Sequence, residues 1–214
     1  DYIRHFLLRE IPLGADGNFS YELLATRVNS DLANDLGNLC TRTLTMIQTN
    51  FDGKIPKHGD FQNTDQQLRE YSAETVKLYQ NHFDQLAIHK AVDNVWELIA
   101  VVNKYLVTNE PWAVAGDDSK RERLGTILYC SAESLRIISI LLGPIIPDGT
   151  GAILKQLGIS ESLEDQRLKS LTWGGLKPGV VIGDVQAVFP RLDVKAFMEH
   201  VAEKKRERKQ SSSQ

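Results

Sequence analysis

Asn38 and Arg42 stand four residues apart in a run whose apolar residues recur every three or four positions. At roughly 100° per residue an α-helix stacks such a pair one turn apart, about 120° and 80° round the axis from the stripe marked by Leu32. An amide pairs with donors or acceptors, and a guanidinium donates to paired acceptors such as those on a nucleobase edge. The pair therefore suits recognition of a planar polar group, while a solvated helix flank is the plainer use of the same residues. Neighbouring Asn34 lies on the same turn system and can share or replace the contact of Asn38. Trp112 follows Pro111 in a helix-breaking segment bounded by Gly116, which places the indole at a surface corner. There it either plugs an interhelical gap or offers a flat face for stacking. Trp96, beside Val95 and Ile99, reads as core, and Trp173 as packing under a C-terminal hairpin.

Other chemistry is sparse. The chain has no Gly-rich phosphate loop, no nucleophile elbow and no metal-spaced cluster, and its five His residues are scattered (His5, His58, His82, His89, His200). Cys40 and Cys130 are isolated, which argues against a disulfide framework and a zinc knuckle. The 214 residues are 42% hydrophobic and 25% charged, a composition that excludes intrinsic disorder and suits one large domain or two small ones. A net charge of -3 lacks the basic excess of a protein that tracks a nucleic-acid backbone. It is compatible with holding a nucleic acid at a few points. No apolar run approaches the ~20 residues that span a bilayer and no signal peptide opens the chain, so the expectation is a cytoplasmic protein without a membrane partner. The absent initiator Met suggests a fragment.

The positioning elements read as helices. A short one runs to Pro12 and a turn follows over 14–17. Ser20 caps one long amphipathic helix, roughly 20 to 50, with Leu24, Val28, Leu32, Leu36, Leu39 and Ile47 on its inner face. Asp52, Gly53, Pro56 and Gly59 interrupt it, and Thr64 caps the next helix. Another carries Ala91 to Leu106 and ends at the Pro111 segment. Asp117 or Asp118 opens a further helix, which Gly143, Pro144 and Pro147 stop. A shorter helix is expected over 149–157. From Gly174 to Pro190, Gly and Pro alternate with Val180, Val181, Ile182, Val185 and Val188, a pattern that predicts a small hairpin. Residues 194–209 read as a charged helix, and Ser211 to Gln214 as a linker.

The runs DYIRHFLLREIP, DGNFS, RVNSDLANDLGNLCTR and NKYLVTNEPWAVA, in this order and spacing, resemble the C-terminal part of bacterial methionyl-tRNA synthetases over about residues 1 to 157. The resemblance implies an all-α, antiparallel helix bundle that binds the anticodon of initiator and elongator methionine tRNAs, with no DNA partner. It implies anticodon contacts at Asn38, Arg42 and Trp112, the first two on the edge of the first anticodon base, a cytosine, and the third stacked on a splayed base. It also implies an N-terminal class I catalytic domain that uses ATP with magnesium. The HIGH-like and KMSKS-like signatures of that domain are absent from these residues, so the parent is read as a methionine-tRNA ligase and this chain as inactive alone, without catalytic or metal residues. The expected division is 1–19 as the connection to the catalytic domain, 20–192 as the anticodon-binding bundle and 193–214 as a charged helix and tail. A helical protein-interaction module without RNA binding is the alternative, and the equivalent domain of an isoleucine, valine or leucine synthetase is a third reading.

Overall fold

Helix-forming stretches separated by Pro and Gly breaks give a chain of helices around one apolar core. The computed structural model describes residues 1–161, 168 and 171–211. In order these are α1 (Tyr2–Glu10), α2 (Tyr21–Arg27), a π-helical stretch (Val28–Gly37), α3 (Asn38–Asn50), α4 (Asn63–Asp84) and α5 (Ile88–Asn109). A one-turn α6 (Pro111–Val114), a 3-10 turn (Asp118–Lys120), α7 (Arg121–Leu142), α8 (Pro147–Gln156) and α9 (Val194–Ser211) complete the order. The architecture is the all-α bundle expected. Ser212–Gln214 of the expected linker lie outside the described residues.

α7 is the axis of the bundle: α3, α4, α5, α6 and α8 all pack on it, and from Leu124 to Leu142 every residue is buried. A helix covered on all sides reads apolar all round. For that reason residues 118–142 are long and apolar enough by composition to cross a bilayer, which corrects the expectation that no run approaches that length; the most apolar 18 residues within them are wholly buried inside the bundle. Its serine hydroxyls are satisfied within the helix, Ser131, Ser134 and Ser139 each donating to the carbonyl four residues back.

The helix expected over 20–50 exists, but its middle is π-wound. Ser20 caps it by accepting from the Leu23 amide at 3.0 Å. The wider turn alters the angles from Leu32 to Asn38 and Arg42 derived for a uniform α-helix, whereas Asn38 and Arg42 both lie in α3 and keep their one-turn relation. Gly37 closes the π stretch where a Cβ would sit 2.9 Å from the Leu32 carbonyl oxygen. Three partners on α1 and α2 grip the stretch at Asp31. His5 Nε2 lies 3.2 Å and Arg9 Nε 2.9 Å from its carboxylate, with Arg27 at 3.8 Å. His5 and Arg9 both stack on the buried Trp96 of α5, at 4.5 and 4.8 Å.

The hairpin expected between Gly174 and Pro190 does not form. Its backbone groups are claimed elsewhere: the Glu133 carboxylate accepts from the amides of Gly174, Gly175 and Leu176 at 2.7–3.0 Å. The amides of Gly179 and Ile182 donate to Ile55 and Gly53, and Gly183 to Gln156. The one bridge among the described residues pairs Lys54 with Val181 rather than two arms of a hairpin. Apolar alternation reported a segment half buried on one side, and a buried carboxylate with a neighbouring loop supplied the partners. Trp173 instead lines a cavity together with Ser72 and Val76 of α4 and Ile137 of α7.

Burial holds the His5 imidazole below its ordinary pKa, against the opposing hydrogen bond to Asp31. Burial works the other way on Asp31, but hydrogen bonds from His5 and Ser30 and the Arg9 guanidinium together hold it below the usual carboxylate range. Below about pH 6.5 the unfolded chain binds a proton that the folded chain refuses, so stability is lost as the pH is lowered, by up to ~1.4 kcal/mol per unit from His5 alone. Thermal melts between pH 7.5 and 5 are expected to drop, and His5→Gln, which keeps a donor and removes the titration, to flatten that slope.

Candidate nucleic-acid interface

α3 carries Asn38 exposed and Arg42 half-buried on the flank beside its buried Leu39, Cys40, Thr43 and Leu44. α5 ends at Asn109, Glu110 turns the backbone through a left-handed conformation (φ 41°, ψ 58°), and Pro111 opens α6. That corner leaves the Trp112 indole 48% exposed. The Arg42 guanidinium carbon lies 5.3 Å from the centroid of the ring. The structure thus joins two residues seventy positions apart in the sequence, with Asn38 one helical turn before Arg42. Trp112 is no interhelical plug, while Trp96 is core, as its setting predicted.

A guanidinium over an indole restrains both groups by cation–π attraction and leaves donor hydrogens at the ring's rim. A planar ligand with paired acceptors, stacked on the indole or laid against its edge, meets those donors. Arg42, Asn38, Asn34 and Trp112 are uncharged acceptors and donors apart from one cation, so what the patch offers a ligand is shape and hydrogen bonding rather than net charge.

A groove of about 430 Å³ extends from this patch, with Asn34, Asn38 and Thr41 on one side and Phe189, Pro190 and Arg191 on the other. Arg191 Nη1 donates to Asn34 Oδ1 at 3.3 Å, and Asn29 in the π stretch fixes that wall by bonding both the amide and the carbonyl of Leu192 at 2.8 and 2.9 Å. Sequence reasoning missed Arg191, because nothing local ties residue 191 to residue 34. It also missed the His5–Asp31 pair, twenty-six positions apart. A larger apolar groove of about 800 Å³ lies between α1, α2, α8 and α9 and contains none of the predicted site residues. Among the described residues no group of three or more His, Cys, Asp or Glu is placed to hold a metal ion.

A family model described as the anticodon binding domain of methionyl tRNA ligase matches residues 55–204. The chain belongs to that family. A second model, for class I tRNA synthetases of the methionine type, matches residues 1–44. Asn38 and Arg42 fall in the second match and Trp112 in the first, so the contact between Arg42 and Trp112 crosses from one to the other. The methionine–tRNA ligase of Caldanaerobacter subterraneus subsp. tengcongensis is 45% identical over 209 residues, covering 98% of this chain and 32% of that protein. That of Thermotoga maritima is 37% identical, covering 92% and 31%. The chain spans about a third of the length of the curated relatives it matches. The crystal structure of the apo form of Mycobacterium tuberculosis methionyl-tRNA synthetase superposes with a TM-score of 0.83 at 36% identity, covering 90% of this chain and 38% of that one. The same enzyme in complex with methionyl-adenylate also gives 0.83 at 36%, covering 89% and 37%. Membership in the anticodon-binding family of methionyl-tRNA ligases sets aside the interaction-module alternative.

With nearly half of its surface in solvent, Trp112 contributes little to the core. Trp112→Ala is expected to cost about 1 kcal/mol or less of stability, the scale of an exposed cation–π contact. Denaturant unfolding of the two proteins checks it; a loss of about 3–5 kcal/mol would mark a core residue.

Proposed function

We propose that this chain reads the anticodon of methionine tRNAs, initiator and elongator, for a cytoplasmic methionine-tRNA ligase, with Asn38, Arg42 and Trp112 as the contacting residues. The single observation that supports the reading is the Arg42 guanidinium held 5.3 Å over an exposed indole, one turn from Asn38. Trp112 stacks on a base splayed out of the anticodon loop, a contact of ~1–3 kcal/mol that tolerates an acidic surface because it needs no phosphate. Arg42 donates to the O2 and N3 acceptors on the pairing edge of the first anticodon base, a cytosine, and Asn38 completes the edge, with Asn34 able to share its contact. Uracil carries a proton on N3 and meets the guanidinium donor with a donor, a mismatch of about 1–3 kcal/mol.

In the parent ligase residues 1–19 would connect to the catalytic domain, 20–192 would form the anticodon-binding bundle and 193–214 the charged exit helix and tail. ATP and magnesium would be held by that catalytic domain. The residues of this chain do not fit them: no phosphate-cradling loop is present in the sequence, and no cluster of metal-ligating side chains occurs among the described residues. No step of the chemistry is assigned to this chain. Its part is to bind and select.

Two measurements test the reading. Filter binding of the chain to methionine tRNA, to the same tRNA with uracil first in the anticodon, and to a scrambled anticodon is expected to rank them in that order; equal binding would overturn it. Arg42→Ala is expected to weaken the cytosine tRNA by about tenfold or more and the uracil tRNA little, because the lost donor favoured only one of them. An equal loss for both would make Arg42 a phosphate or structural residue. The purified chain is further expected to show methionine-dependent pyrophosphate exchange no higher than a blank.

A further inference from the structure

Where α5 stops, three residues before the exposed indole, its last side chain belongs to a closed ring of hydrogen bonds. Asp65, fully buried in the first turn of α4, accepts from the Tyr105 hydroxyl of α5, from the Arg123 guanidinium of α7 and from the Gln62 amide. Arg123 uses its other terminal nitrogen to donate to Asn109 Oδ1 at 2.6 Å. Asn109 Oδ1 also accepts from the Thr64 hydroxyl at 3.2 Å, and Asn109 Nδ2 donates back to the Tyr105 carbonyl at 2.8 Å. Three helices are thereby fastened to one amide side chain.

That amide belongs to the last residue of α5. The next residue, Glu110, holds a left-handed backbone without being Gly, a conformation that persists only where the surroundings impose it. Its amide donates to Leu106 and its carbonyl accepts from Ala113 and Val114, so the turn, together with the packing of α6 on α7, sets the axis of α6 and the place from which Trp112 projects. Nearly half in solvent, the indole has too little packing of its own to choose that direction. The fork of Arg123, one nitrogen on a buried carboxylate and the other on Asn109, supplies a rigid reference for the corner.

We infer that Asn109 and Arg123 are positioning residues for base stacking: they hold the Glu110 turn so that Trp112 stands under Arg42 before any RNA arrives. The inference deepens the anticodon-reading proposal and rests on it. Preorganisation of this kind raises affinity by lowering the ordering cost of binding, without a contact to the ligand.

The test labels the chain with 5-fluorotryptophan, which gives one fluorine resonance each for Trp96, Trp112 and Trp173, Trp112 being assigned with Trp112→Phe. Asn109→Ala is expected to shift or broaden the Trp112 resonance alone. It should weaken binding of a cytosine-first anticodon stem-loop by about five- to tenfold, part of the stacking contribution. Asn109→Asp, which keeps the acceptor for Arg123, is expected to restore most of both. Arg123→Lys, which has one nitrogen where the fork has two, should behave as Asn109→Ala. If all three resonances and the thermal melt move together in Asn109→Ala, Asn109 supports the whole bundle and the inference is overturned. It is equally overturned if Trp112→Ala weakens the stem-loop while Asn109→Ala leaves affinity and resonance unchanged. If Trp112→Ala and Arg42→Ala both leave stem-loop binding unchanged, the anticodon-reading proposal itself fails.

Discussion

The burial of α7 on every side is the constraint from which the arrangement of the other parts follows. A helix that gives up solvent along nearly its whole length must satisfy each of its polar side chains from within the protein, since an unpaired buried charge costs several kcal/mol. Glu133 and Arg136 pair with each other at 2.7 Å and then reach outward, Glu133 to three backbone amides and Arg136 to the Thr172 carbonyl. The segment after residue 171 is irregular because that carboxylate claims the amides a strand would have used. Arg123, in the first turn of the same helix, reaches the buried Asp65 with one nitrogen and Asn109 at the end of α5 with the other. One core helix thus organises both the C-terminal wrap and the corner that carries Trp112.

Buried carboxylates recur as the joints of the molecule. Asp31 joins α1 and α2 to the π stretch, Asp65 joins α4, α5 and α7, and Glu133 joins α7 to the 174–176 loop. Each accepts from several donors, which is the condition under which a buried charge is tolerated. The first two joints flank the proposed reading patch, Asp31 seven residues before Asn38 and Asp65 behind Asn109. The patch therefore sits on two rigid supports and still exposes its amide and indole.

The π-helical stretch has the same logic. A π-wound turn is disfavoured in isolation, and ten residues of it survive because Asp31 and Asn29 are gripped from two directions, by α1 and by the Leu192 backbone. Its consequence is rotational. The stretch sets the phase of α3 against the bundle, and so determines which side of that helix Asn38 and Arg42 occupy when Trp112 arrives from α5.

The sequence by itself determined most of the helices and the core, and it supplied the residues of the proposed site. Apolar repeats at three- and four-residue spacing marked α3, α4, α5 and α7, Pro and Gly marked most of their ends, the one-turn α6 was read only as a break, and Asn38, Arg42 and Trp112 stood out by residue type and by their place on a flank or beside that break. These are local properties, fixed by backbone geometry and side-chain polarity within a few residues. What the tertiary structure alone decided is contact between distant residues: the guanidinium of Arg42 over the indole of Trp112, Arg191 against Asn34, His5 against Asp31, and the ring from Asp65 through Arg123 to Asn109. It also replaced the expected hairpin with a loop anchored on Glu133 and wound the middle of the 21–50 helix into a π form. Periodicity reports which face is buried, but a buried carboxylate chooses its donors only when the folded chain brings them within hydrogen-bond reach, and no local pattern encodes that choice.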